Sequence, residues 1–131
     1  MSRTLLIELL HLPYRELSPN ARVHWAKKAA AVRGAREEVG WLAGSQWGDQ
    51  PPMQCARISY VFNVVDKRRR DIGNLLAACK PFEDGLVDAG VIFEDDAEHL
   101  KLGTVNIGGG LTESTWITLE EIVETKHEHS M

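Results

Sequence analysis

The chain has 131 residues, 44% of them hydrophobic and 26% charged, which suits a single globular domain with a core of its own and excludes wholesale disorder. No apolar run approaches the roughly 18 residues that a membrane span needs, and no secretion signal opens the chain, so a cytoplasmic protein is expected. The formal net charge of -4 hides an asymmetry: residues 1–81 carry 13 Lys/Arg against 7 Asp/Glu, a net of +6, and residues 82–131 carry 2 against 12, a net of -10.

In chain order, Thr4–Leu10 is an apolar run of strand length ahead of Pro13. Ser18-Pro19-Asn20 is turn chemistry, after which Trp25, Ala29, Val32, Ala35, Val39 and Leu42 recur at helical spacing. This stripe predicts an amphipathic helix with those residues in the core and Arg22, Lys27 and Arg33 on the opposite side. Gly44 to Pro52 reads as a loop. Ala56–Val65 is rich in β-branched and aromatic residues and predicts a central strand.

A second helix follows, with Leu75, Cys79, Phe82 and Leu86 on one stripe. Pro81 should kink or restart it, because proline gives no N–H to the preceding turn. Gly90 ends it. Leu100–Ile107 and Ser114–Ile122 read as strands of a hairpin across Gly108-Gly109-Gly110. The order β-α-β-α-β-β predicts one two-layer α/β (α+β) domain over residues 1–124, with a mixed sheet and two main helices. Residues 125–131 form a polar tail.

Two segments carry candidate chemistry. At the end of the central strand, Lys67, Arg68, Arg69 and Arg70 run into Asp71, with Asn74 three residues on. Near a helix start that spacing puts Asp71 and Asn74 on one face, about 5–6 Å apart at Cβ. Asp71 serves equally as a helix cap, but a cap does not require four cations upstream, and clustered cations favour an anionic partner such as phosphate. Further on, Glu94, Asp95 and Asp96 are hard oxygen donors of the kind Mg²⁺ takes, although taken alone they read first as an acidic surface turn.

Other features argue against different chemistry. Cys55 and Cys79 form no C-x-x-C pair and lack a flanking base; they read as buried thiols. Gly108–Gly110 lacks the lysine of a phosphate loop. His99 follows the acidic loop, and His127 and His129 belong to the tail. His24 stays open between a surface role and stacking on a base.

The segment RRRDIGNLLAACKPFEDGLVDAGVIFEDDAEH, residues 68–99, resembles the RusA family of Holliday junction resolvases. The shared pattern is a basic run, D-x-D-N-L, a later lysine, D-[AG]-L, A-G and a loop ending D-D. LSPNARVHW, residues 17–25, is similar to the family's N-terminal P-S-x-N region. The resemblance implies a homodimeric endodeoxyribonuclease that cuts four-way DNA junctions with Mg²⁺, or Mn²⁺, in recombination and repair.

Carried over, it implies Asp71 and Asp96 as metal ligands, with Asp95 as the alternative to Asp96, and Lys80 as the active-site cation. Lys67, Arg68, Arg69, Arg70, Arg22, Lys27 and Asn74 would face DNA. The chain departs from the pattern at Gly73, where the family has its second aspartate. Asn74, Glu94 or a water would then stand in, or metal affinity would be low. The alternative is a junction-binding relative with weakened or lost catalysis; a nuclease for flaps is a third reading. In one straight helix over 71–80, Lys80 would point away from Asp71, unless the helix breaks before Pro81 or Asp71 lies outside it.

Overall fold

A computed structural model describes residues 2–123 of the chain. The tail expected at residues 125–131, with His127 and His129, lies outside the described residues. Strand β1 (Thr4–Leu9) alternates exposed and buried residues, turning Leu5, Ile7 and Leu9 inward. A 3₁₀ turn at Arg15–Leu17 leads to the long helix α1 (Trp25–Trp47). Strand β2 (Ala56–Val64) follows, then the short helices α2 (Ile72–Ala77) and α3 (Lys80–Asp88). Strands β3 (Leu100–Gly109) and β4 (Ser114–Glu121) close the fold. The architecture is the expected mixed α/β domain, with its second helix in two pieces. Pro81 sits in the first turn of α3, where its missing N–H costs little, and so it restarts the helix. Among the described residues no helix is long and apolar enough to cross a membrane.

The four strands lie in the order β1-β4-β2-β3. β2 is antiparallel to β4 and parallel to β3. The expected hairpin between β3 and β4 is therefore corrected, since β2 lies between them. Residues 110–113 carry the chain past the end of β2, where the Gly110 N–H donates to the Val64 carbonyl at 3.1 Å. Pairing both edges of the most buried strand outweighs the local preference of a glycine-rich turn.

The core fills one face of the sheet. Ile7 and Leu9 from β1, Ile58, Tyr60 and Phe62 from β2, and Ile117 and Leu119 from β4 pack with Ala35 and Val39 of α1 and Phe82 and Leu86 of α3. The other face leaves Leu6 and Trp116 substantially exposed.

α1 differs from its expectation at both ends. Its buried stripe is Ala35, Val39, Ala43 and Trp47, so the helix runs through the expected loop and stops at Gly48, whose φ is 64°. Trp25, expected in the core, is 76% exposed, because residues 24–30 extend beyond the body of the domain. His24 caps the helix, its Nδ1 accepting from the Ala26 N–H at 3.2 Å. Cys79 is buried as expected, whereas Cys55 is only half-buried.

α1 and α3 meet at two glycines. A Cβ on Gly85 would stand 2.5 Å from the Arg36 carbonyl oxygen and 3.0 Å from the Gly40 nitrogen. Gly85→Ala should force these helices apart and destabilise the fold by about 1–3 kcal/mol, the usual cost of overpacking. Urea denaturation checks this, and an unchanged midpoint would contradict the packing.

Candidate nucleic-acid interface

The basic run leaves β2 as a curled loop, and Asp66 does the curling. Its Oδ1 accepts the Arg68 N–H at 2.9 Å and pairs with the Arg70 guanidinium at 2.9 Å. The Arg68 N–H first, and Arg70 next, hold the Asp66 carboxyl below the usual range. Arg70 also donates to the Arg68 carbonyl at 2.8 Å, and its side chain is only 9% exposed. It is thus the internal cation of the run, whereas Lys67, Arg68 and Arg69 are exposed.

Asp71 lies outside α2 as its cap, with Oδ1 accepting the Asn74 N–H at 3.2 Å. Asp71 and Asn74 line one cleft, as their spacing predicts. That cleft measures about 590 Å³ and has residues 68–71 on one side and residues 11–16 on the other. A second cleft of about 380 Å³ is lined by Arg22 and Lys27 and shares Arg15, Glu16 and Ser18 with the first. The fold thereby brings the 17–25 segment beside the basic run, from which it is separated by more than forty residues.

The electrostatics sharpen this arrangement. Arg3 pairs with Glu121 at 2.7 Å, Arg36 with Asp88 at 2.5 Å and Arg57 with Glu120 at 3.5 Å, and Lys80 pairs with Asp95. Each of these pairs joins the basic N-terminal part of the chain to the acidic C-terminal part. Arg15, Arg22, Lys27, Arg68 and Arg69 form no ion pair among the described residues, and all five line the two adjoining clefts.

An aromatic wall that no sequence pattern announces completes the larger cleft. The His11 ring stacks on Tyr14 at 4.8 Å with 11° between planes. Glu38 on α1 holds both, 2.9 Å from His11 Nε2 and accepting from the Tyr14 hydroxyl at 3.2 Å. Partial burial, then the Glu38 charge, pushes the Tyr14 phenol up. Nothing local in H-L-P-Y signals this role, since the partner lies 24 residues beyond Tyr14 on another element.

The carboxylates expected at a metal are distributed differently. The chain breaks between α2 and α3, which relieves the straight-helix difficulty, yet Lys80 turns to Asp84, at 3.1 Å, and to Asp95. Asp95 is held below the usual carboxylate range chiefly by Lys80. Asp96 Oδ1 meets His99 Nδ1 at 2.6 Å, which lowers the Asp96 carboxyl, so the role of His99 is to hold this loop. Asp71 lines the arginine cleft, whereas Asp95 lines a smaller cleft of about 230 Å³ with Glu83.

Among the described residues no three His, Cys, Asp or Glu side chains converge as a metal cage. Asp71, Asp95 and Asp96 are thus not gathered into one three-carboxylate group. Gly73 contributes no donor either. A Cβ there would stand 3.1 Å from Asp71 Oδ1, so an aspartate at this position would begin directly beside the first carboxylate.

Comparison with known proteins adds one relationship. No family model matches the chain. Over 110 residues it is 32% identical to an uncharacterized protein of Xylella fastidiosa (strain Temecula1), a match covering 74% of this chain and 72% of that one. The chain belongs to that protein's family.

The smaller cleft has a titrating group of its own. Glu83 accepts from the Tyr60 hydroxyl at 2.9 Å, and burial, against that bond, pushes its carboxyl above the usual value. The folded state therefore holds this proton more tightly than the unfolded chain does. Its stabilising contribution is full below the ordinary glutamate range and is lost as pH rises through the raised value. Glu83→Gln should flatten that decline and leave the variant relatively more stable at pH 8 than at pH 4. Denaturation midpoints of both proteins across this range provide the check.

Proposed function

We propose that this protein is a structure-selective endodeoxyribonuclease of the RusA type, acting on four-way DNA junctions. The observation that carries the reading is the placement of unpaired cations. Arg15, Arg22, Lys27, Arg68 and Arg69 have no carboxylate partner among the described residues and line adjoining clefts beside Asp71 and Asn74. Such a stripe suits the phosphates of a DNA backbone, which supply most non-specific affinity through release of condensed counterions. Junction selectivity would come from shape, and paired cuts on a junction of two-fold symmetry would need a homodimer.

The donor chemistry suits hydrated Mg²⁺. Asp71 and Asp96 each use only Oδ1 in hydrogen bonds among the described residues, leaving Oδ2 free. Mg²⁺ is commonly held by one or two carboxylates, substrate phosphates and waters. When bound, it polarises a phosphodiester and lowers the pKa of a coordinated water. Arg68 and Arg69 bind and orient the phosphates. Lys80, half-exposed on the α3 start, can add positive charge only after leaving Asp84 and Asp95.

A second reading has its own observation. With Gly73 beside Asp71 and no three-ligand group among the described residues, the chain also fits a protein that binds junctions without cutting them. A four-way junction, a flap and a linear duplex of equal length, each incubated with Mg²⁺ and then Mn²⁺, separate the readings. Paired cuts confined to the junction support the resolvase, and Asp71→Asn should then lower cleavage by more than about tenfold while binding persists. Tight junction binding with no product in either metal supports the second reading. Equal affinity for all three substrates sinks both.

The salt dependence of binding tests the cleft itself. Replacing Arg68 and Arg69 together by alanine should make the log–log slope of affinity against salt shallower by about 1.8, or about 0.9 for each phosphate no longer neutralised. Filter binding from low to moderate salt measures it. An unchanged slope would place the DNA elsewhere.

A further inference from the structure

The larger cleft has features that phosphate binding alone does not need. Its volume of about 590 Å³ lies within the range of sites that enclose small ligands. One wall is the stacked His11–Tyr14 pair, fixed from behind by Glu38, so the rings are already ordered before anything binds.

Arg70 lines the opposite wall, more than nine-tenths buried, and one of its terminal nitrogens is buried with no partner among the described residues. The charge of Arg70 is met by Asp66, so its guanidinium is a fixed part of that wall. The Asn74 side-chain amide, which makes no hydrogen bond among the described residues, has both a donor and an acceptor free.

The charge balance points the same way. Four arginines line the cleft against three carboxylates, Glu16, Asp71 and Glu113, a formal excess of one positive charge. With three carboxylates also in the lining, phosphate contacts at the arginines are only part of what the cleft offers. A nucleotide gains more, because its base brings an apolar face for the rings and polar edges for the amide. A base within a duplex is covered by neighbours on both faces; only an unstacked one has a face to offer.

We infer that the cleft between residues 11–16 and 68–74 receives one unpaired nucleotide of the DNA, its base against the His11–Tyr14 wall and within reach of Asn74, its phosphate at Arg68 and Arg69. The inference rests on the DNA-binding reading above and names a feature of the substrate that reading leaves open. Unpaired or readily unpaired nucleotides occur where duplex arms meet, so the cleft would recognise a branch by the base it exposes and not only by the angle of its arms.

The test uses the full chain and three labelled duplexes: intact, with one unpaired thymidine, and with an abasic residue in place of that thymidine. The wild-type protein should bind the unpaired thymidine about tenfold more tightly than the abasic site, as stacking of one base on an aromatic side chain supplies. Tyr14→Ala should remove that preference while its affinity for intact duplex stays within about twofold, and Tyr14→Phe, which keeps the ring, should retain it. The wild-type comparison needs no variant, so misfolding of Tyr14→Ala leaves it intact. Equal affinity for the three duplexes would overturn the nucleotide pocket and leave DNA binding standing. A preference that survives in folded Tyr14→Ala would overturn the assignment of the wall. Absence of binding to any of these DNAs or to a four-way junction would overturn both.

Discussion

Because β2 is hydrogen-bonded on both edges, antiparallel to β4 and parallel to β3, the chain has to cross from one end of the sheet to the other between β2 and β3. α2 and α3 are that crossover. It begins where β2 ends, at Val64, so the basic run is delivered to the end of the central strand instead of a peripheral loop. The close approach of Gly85 to α1 then anchors the far end of the crossover against the long helix. α1 in turn supplies Glu38, which sets the aromatic wall facing the basic run. The cleft is thus held from three elements whose positions all follow from the placement of β2.

The same architecture explains which of the chain's cations meet a carboxylate. In sequence the cations concentrate before residue 82 and the carboxylates after it. In the fold the two parts interleave: β1 and β2 neighbour β4, and α1 lies against α3, so cations and carboxylates meet across these contacts. The Arg36–Asp88 and Arg57–Glu120 pairs are exposed and contribute little stability individually. Their consequence is selective cancellation of charge. Arg15, Arg22 and Lys27, and Lys67 to Arg69, belong to the cations left without such a pair among the described residues. A concave site with an uncancelled field can concentrate an anionic partner even when the net charge of the whole chain is negative.

Most elements were legible because their signals are local. Strand length, β-branched content, helical period and the positions of Pro81 and Gly90 depend on neighbours in sequence, and they yield the element order and the mixed two-layer class. At Gly90 the structure shows the physical basis directly. Its φ is 74°, and the Val91 N–H donates to the Leu86 carbonyl at 3.1 Å to close the helix. Asp71 as a cap sharing a face with Asn74 is legible for the same reason, since both positions lie within one helical turn.

What sequence could not decide were the outcomes of competition between distant partners. Trp25 has the right period for a core position, but period says nothing of how far the neighbouring layer extends, and the helix outruns it. The glycines after β3 suit a hairpin, yet β2 takes the place beside both strands. Lys80, Asp95 and Asp96 are plain charges in the sequence, but which partner each takes depends on through-space attraction at a few ångströms, which sequence order does not encode. The sequence by itself determined the element types, the class of fold and the basic segments, because these follow from short-range sterics and patterning. Tertiary structure alone decided strand order, which cations remain unpaired, and the meeting of His11, Tyr14 and Glu38 across a cleft from Arg70, because burial and Coulomb attraction act between residues that only folding brings together.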